Sequence, residues 1–256
     1  MMNRERGDFV TTNKGTENIS ILKTLLLIFI PTSLLMLVYI VLGSIQNTIP
    51  SLLLFMLCAA LILFPIEIGV VLHASKTEYG SFSLKSSFSR HNKMSRLKIF
   101  LYGFGLCAFA GIISVTVAPL ENNLLAPVSN MFTGYIPEYF NWNNIEQLKM
   151  YPNNILLTTC IVYSILNVIV GPIIEELFFR GYLTSKLSRY GDFAPLIITV
   201  LFSLYHFWLP FENLFRIFVF FPAAFIAWKK KNIYITIVFH CMCNLLSTIA
   251  FFSLVF

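Results

Sequence analysis

Seven apolar stretches, most near the length that crosses a bilayer and the fifth and sixth short of it, leave this chain few ways to fold. They are Ile21–Leu42, Ser51–Ala74, Ile99–Leu120, Asn154–Ile174, Phe193–Leu209, Leu214–Trp228 and Tyr234–Phe256. About 20 predominantly apolar residues span the hydrocarbon core as a helix. Backbone groups find no water there, so helices that satisfy their own hydrogen bonds are the expected form. Charged residues make up only 12% of the chain, against about 25% in a soluble domain. The expected fold class is therefore all-α: a polytopic transmembrane helical bundle of about seven spans around an intramembrane polar cavity. A further segment within 130–150 would make eight. The organisation reads as a polar N-terminus over 1–20, N-terminal transmembrane helices and loops over 21–150, and a second set of helices over 151–256. The first 18 residues are polar and the first apolar run lacks a small-residue cleavage site, so that run is read as an uncleaved span.

The formal charge of +6 does not argue for nucleic acid, because basic residues of membrane proteins gather in cytoplasmic loops. Four basic groups stand out: Arg4, Arg6, Lys14 and Lys23; Lys76 to Lys98; Arg180, Lys186 and Arg189; and Lys229-Lys230-Lys231. With a cytoplasmic N-terminus and seven spans, 16 of the 18 basic residues fall inside. Only Lys149 and Arg216 fall outside, and the outer loop 121–153 carries Glu121, Glu138 and Glu146. The five cysteines, Cys58, Cys107, Cys160, Cys241 and Cys243, sit in apolar stretches and form no C-x-x-C pair. No disulfide and no zinc knuckle is expected.

Within this apolar background a few polar residues need a reason. Glu175, Glu176 and Arg180 close the fourth stretch, and an ionisable group at membrane depth costs roughly 2.5–3.5 kcal/mol on insertion scales. Glu176 and Arg180 are four apart and share a helix face, so they can pair. Glu175 is rotated by about 100° and can face a different neighbour. Phe202 and His206 repeat the spacing of four in the fifth stretch, as do His240 and Asn244 in the seventh. Three helices can thus present polar faces to one cavity. A carboxylate in a dry cavity suits a general base, a histidine helps to activate water, and an asparagine amide offers a donor to a developing oxyanion. Alternatively Glu175, His206 and His240 make a three-ligand zinc set with an open position, although no H-E-x-x-H helix is present. Glu176–Arg180 reads equally well as a structural bridge, a lone membrane histidine is often a packing residue, and Glu67 after Pro65 is ambiguous. By helical rise, His206 lies about 20 Å and His240 about 14 Å from the inner surface, a mismatch that tilt or an open funnel would have to reconcile.

Glu175-Glu176-x-x-x-Arg180, Phe202-x-x-x-His206 and His240-x-x-x-Asn244, in that order on successive spans, resemble the CPBP family. This is the family of CAAX prenyl proteases and bacteriocin-processing proteins, also called ABI or type II CAAX endopeptidases. The flanks, Gly171-Pro172 before the glutamates and Phe-Phe-Arg-Gly-Tyr-Leu after them, are similar too, and the resemblance covers roughly 165–250. It implies an intramembrane endopeptidase. Glu175 would activate water with His206, His240 and Asn244 would bind the oxyanion, and Glu176 and Arg180 would support them. Cofactors would be none, or zinc. Partners would be a hydrophobic or lipidated peptide and membrane lipids, not nucleic acid. A non-catalytic immunity or peptide-binding protein of the same family is the alternative. Composition suggests a bacterial plasma-membrane protein with its N-terminus in the cytoplasm.

Overall fold

The computed structural model describes residues 18–43, 48–133 and 142–256; within these it is helical and contains no strand. We number its helices α1 (Ile21–Leu42), α2 (Ser51–Tyr79), α3 (Arg96–Thr133), α4 (Ile145–Lys149), α5 (Asn153–Lys186), α6 (Ala194–Leu204), α7 (Asn213–Lys230) and α8 (Tyr234–Val255). Five of them, α1, α2, α3, α5 and α8, are long and apolar enough to cross a membrane. The chain is a multi-pass membrane protein. The other two expected spans are an 11-residue helix, α6, and an 18-residue helix, α7, which carries Arg216, Lys229 and Lys230. The segment expected within 130–150 falls partly on residues 134–141, outside the described ones. Its remainder includes the single-turn α4, whose first N–H groups, at Glu146 and Gln147, are capped by the Asn144 side chain.

The basic groups, Arg4, Arg6 and Lys14 aside (these lie outside the described residues), meet at one end of the bundle. The Ile19 N–H donates to the Lys186 carbonyl, and Lys186 pairs with Glu78 at 2.6 Å. The Asn92 N–H donates to the Lys231 carbonyl at 2.7 Å, and the Asn232 amide returns a bond to the Asn92 carbonyl. Arg90 stacks on Trp228 with 3.4 Å between its guanidinium carbon and the ring centre. Lys229 binds Asp192, and this hydrogen bond holds the exposed Asp192 carboxyl below the usual range. Four segments far apart in sequence thus form one basic end.

The α6–α7 hairpin is held from its far end. Glu121, well inside α3, is buried and accepts the N–H groups of Leu214 and Phe215 at 2.8 and 2.7 Å. These are orphan donors of the first turn of α7, and a carboxylate there also meets the positive end of the helix dipole. That pairing accounts for α3 running on past the expected Leu120. The Ser203 hydroxyl contacts Asn213, and the Arg216 guanidinium donates to the Ser203 carbonyl. Thr32 of α1 donates to the Tyr205 carbonyl at 2.8 Å, which fixes the chain where α6 ends.

One close approach depends on glycine. The turn Lys85–Phe88 packs onto α5 so tightly that a Cβ at Gly181 would lie 2.7 Å from the Ser87 Cβ and 2.8 Å from its carbonyl oxygen. The Ser87 hydroxyl also donates to the Leu177 carbonyl at 2.8 Å. Gly181→Ala should therefore lower stability by about 1–3 kcal/mol, the usual cost of overpacking, read as a lower melting temperature in detergent. An unchanged melt would show that the turn moves aside freely.

Candidate active site

The site begins with a local irregularity in α5. Over Ser164–Val170 the helix widens to π geometry, and the Gly171 N–H bonds back to the Leu166 carbonyl, five residues away. The Asn167 carbonyl thereby loses its ordinary donor, Gly171. The next residue that could serve it, Pro172, has no N–H. The donor comes instead from another helix: the Asn244 side-chain amide of α8 reaches the Asn167 carbonyl at 2.8 Å. The Asn167 amide in turn donates to Thr248 of α8 at 3.2 Å. Gly171 itself is required, because a Cβ there would lie 2.9 Å from the Leu166 oxygen and 3.0 Å from Phe64. The Gly-Pro step thus places Asn244, and π turns of this kind recur at functional sites.

The two carboxylates diverge as their positions on the helix predict. Glu176 is fully buried and lies 3.2 Å from Arg180. The same oxygen, Oε1, accepts from His240 Nδ1 at 3.0 Å. Arg180 is held between aromatic faces, 4.0 Å from the centre of Phe202 and 5.2 Å from that of Phe220. Glu175 accepts from the Tyr205 hydroxyl through Oε1 at 2.5 Å. Its other oxygen, Oε2, faces His240 Nε2 at 3.7 Å, too far for a direct hydrogen bond. His240 therefore bridges the two glutamates, one on each ring nitrogen.

The helical rise explains which residues share this level. Glu175 is eleven residues from Lys186, and Tyr205 is eleven from Ala194, about 16 Å in each case. His240 is nine from Lys231, about 14 Å. The residue that reaches Glu175 from α6 is thus Tyr205, not His206. His206 follows it, with Nδ1 donating to the Phe202 carbonyl at 2.7 Å and its ring against Tyr205 and Trp208. In the neutral ring that bond leaves Nε2 as an acceptor.

Glu175, His206, His240 and Asn244 line one cavity of about 470 Å³. Its walls are largely apolar and include Phe55, Leu63, Phe64, Leu166, Val219 and Phe220. It continues to Trp142, Trp208 and Glu212, in the connections opposite the basic end. Sequence reasoning missed three residues here. Tyr205 and Asn167 carried no spacing signal, and Arg216, counted only as an outer-side charge, is buried and lines the cavity. Glu67 is buried and interacts electrostatically with Glu175 and Tyr205 but is not part of this lining. Cys107 and Cys243 are free thiols facing each other at 3.7 Å in the cavity wall. Among the described residues no three His, Cys, Asp or Glu side chains converge as a zinc site requires. Glu175 and His240 meet, and His206, with Nδ1 on the Phe202 carbonyl, keeps Nε2 open.

With this geometry in view, comparison with known proteins is decisive at one point. Residues 157–246 match the family described as type II CAAX prenyl endopeptidase Rce1-like. Over that segment the chain is similar to this protease family. The matched stretch contains Glu175, Glu176, Arg180, His206, His240 and Asn244. No curated protein and no solved structure matches the chain. The Rce1-like segment runs from the start of α5's apolar face to the middle of α8, so it holds the whole polar cluster, while α1 to α3 supply the packing around it.

Breaking a buried ion pair from one side strands a charge, at a cost of about 3–5 kcal/mol. Arg180→Met should therefore lower stability by about that amount in detergent melts, and adding Glu176→Gln should restore most of it. A double variant as unstable as the single one would show that Glu176 is not the partner that matters.

Proposed function

We propose that this protein is an intramembrane endopeptidase in which Glu175 activates water against a peptide bond of a hydrophobic or lipid-anchored peptide. The observation that carries the reading is the division of labour between the oxygens of Glu175. Tyr205 occupies Oε1, while Oε2 faces His240 Nε2 inside the cavity. Oε2 takes a proton from water, and the hydroxide attacks the carbonyl carbon. His206 Nε2 accepts a hydrogen bond from that water and orients it. The oxyanion is met by the remaining amide hydrogen of Asn244 and by the Nε2 edge of His240, whose Nδ1 edge stays on Glu176. Glu175 then passes its proton to the departing amine, which completes hydrolysis. Preorganised donors of this kind are worth about 10²–10³ each in rate.

Glu176 and Arg180 touch no reacting atom in this scheme; they orient His240. The scheme assigns no step to a metal. The apolar walls favour a lipidated or otherwise hydrophobic peptide, in keeping with the protease family over the binding-only alternative. By the positive-inside rule we take the basic end as cytoplasmic, in keeping with the bacterial plasma membrane that composition suggests. The cavity's reach toward the opposite end then favours a substrate that approaches from the outer half of the bilayer.

The test is cleavage of a fluorogenic S-farnesyl peptide by purified protein in proteoliposomes. Glu175→Gln and His240→Ala should each reduce kcat at least 100-fold without lowering the melting temperature much. Tyr205→Phe should reduce it about 10- to 100-fold, the worth of a hydrogen bond to a charged group. Near-wild-type cleavage by Glu175→Gln would overturn the reading. Dialysis against a chelator should leave the rate unchanged; a loss restored by zinc alone would replace the scheme with a metal-assisted one.

A further inference from the structure

The basic end carries cations that the protein itself leaves without counter-ions. Lys186 pairs with Glu78 and Lys229 with Asp192, but among the described residues Lys93 and Arg96 meet no carboxylate. Both are exposed, and both line a groove of about 490 Å³ between the first turns of α3 and α8, which has no acidic residue in its wall. The rim of the groove is fixed from two sides. Asn232 is buried, donates to the Asn92 carbonyl at 2.9 Å and accepts the Tyr234 N–H at 3.0 Å. The His91 ring packs edge-on against Tyr234 with 5.3 Å between ring centres. The floor is apolar. Ile99 and Phe100 follow Arg96 by three and four residues, and Val238 follows Tyr234 by four, so the floor lies about 5–6 Å deeper along both helices. There α3 and α8 close on each other, since a Cβ at Gly103 would lie 2.7 Å from Val238 Cγ1. The groove opens onto the bilayer: Leu97, Phe100, Leu101 and Phe104 form one stripe on α3, and each is more than half exposed.

We propose that this groove binds an anionic phospholipid, with its phosphate on Lys93 and Arg96 and the upper part of one acyl chain along Ile99, Phe100 and Val238. The order of the lining is the order of a phospholipid: charge at the rim, hydrocarbon one turn deeper, and a mouth on the lipid-facing side. A soluble anion would satisfy the rim and leave the floor bare. A zwitterionic lipid brings its own cation to Lys93 and Arg96, so a headgroup of net negative charge is preferred. Arg96 offers a fork of donors to phosphate oxygens and Lys93 a point charge. Basic pockets between transmembrane helices at the cytoplasmic side select anionic headgroups in this way. Tyr234 stands at the same level, where the amphipathic ring of a tyrosine favours the headgroup layer. A lipid so placed bridges α3 and α8 at their first turns. The inference does not depend on the hydrolytic reading; it requires only that the basic end meets a headgroup layer.

The test is native mass spectrometry of the full chain released from detergent micelles, titrated with phosphatidylglycerol or with phosphatidylcholine of the same acyl chains. The first phosphatidylglycerol should bind at least about tenfold tighter than the first phosphatidylcholine, the worth of two cations near the headgroup plane. Lys93→Gln with Arg96→Gln should bring the two lipids to within about twofold of each other. Both side chains are exposed, so the fold is not at risk in that variant. Lys85→Gln with Arg189→Gln removes the same charge from the same end but outside the groove, and should leave the preference within about twofold of wild type. Glycerol phosphate in large excess should not displace the lipid, because it cannot use the apolar floor. Equal affinities for the two lipids in the wild-type protein overturn the proposal, as does a preference that survives loss of Lys93 and Arg96. A preference lost equally with Lys85 and Arg189 would show attraction to the whole basic end and no site, and displacement by glycerol phosphate would show a site for free anions; either result overturns it too.

Discussion

Adjacent carboxylates buried in an apolar bundle repel each other and lack water, and the way this chain resolves that conflict organises everything around it. Glu176 is compensated by Arg180 from its own helix and by His240 from α8. Glu175 is compensated more sparingly, by one hydroxyl and by an imidazole set back at 3.7 Å. The asymmetry matters because a buried ion pair contributes little net stability once desolvation is counted, whereas a stranded charge costs a great deal. Compensation by a cation and an imidazole, both at Oε1, makes Glu176 structural. Partial satisfaction of Glu175 leaves one oxygen free to exchange partners, which is what a base requires.

The arrangement depends on features remote from the glutamates. The π turn before Gly171 frees a carbonyl, and the freed carbonyl captures Asn244. Thr32 fixes the Tyr205 backbone, and Glu121 anchors the start of α7. Each is a backbone group that finds its partner on another helix, the means by which irregular backbone is tolerated at membrane depth. Ser87 and Gly181 seal the basic end against α5. Side chains from α1, α3 and α8 thus hold the segments that surround Glu175, and a change far from it can displace it.

Much of this was legible in the sequence, for reasons that differ by element. The limits of α1 follow from apolar length alone, and those of α2 and α8 nearly so, because a bilayer sets the scale; α5 starts as expected but runs twelve residues past Ile174. The Glu176–Arg180 contact follows from helical spacing. Tyr205 was not legible, because a tyrosine beside a histidine carries no pattern; only counting residues from the basic end puts it level with Glu175. The short α6 could not be separated from a full span, since Phe207, Trp208 and Leu209 continue its apolar run into the connection. Glu121 was read as a loop charge because charge rules take no account of long-range capping, and it caps a helix 93 positions away.

The same counting bears on how the cavity is used. Glu175, Tyr205 and His240 lie about 14–16 Å from the basic end by helical rise, near the middle of a hydrocarbon core about 30 Å thick. Only α6 of the major helices stops at that level; α5 and α8 run on past it. Where α6 stops, the connection through Trp208 to Glu212 takes over as wall. A full-length sixth helix would fill that space with side chains and close the cavity above the site. The brevity of α6 and the capture of α7 by Glu121 are therefore two halves of one device: the first opens a path to Glu175, and the second keeps Arg216 and Phe220 on its side.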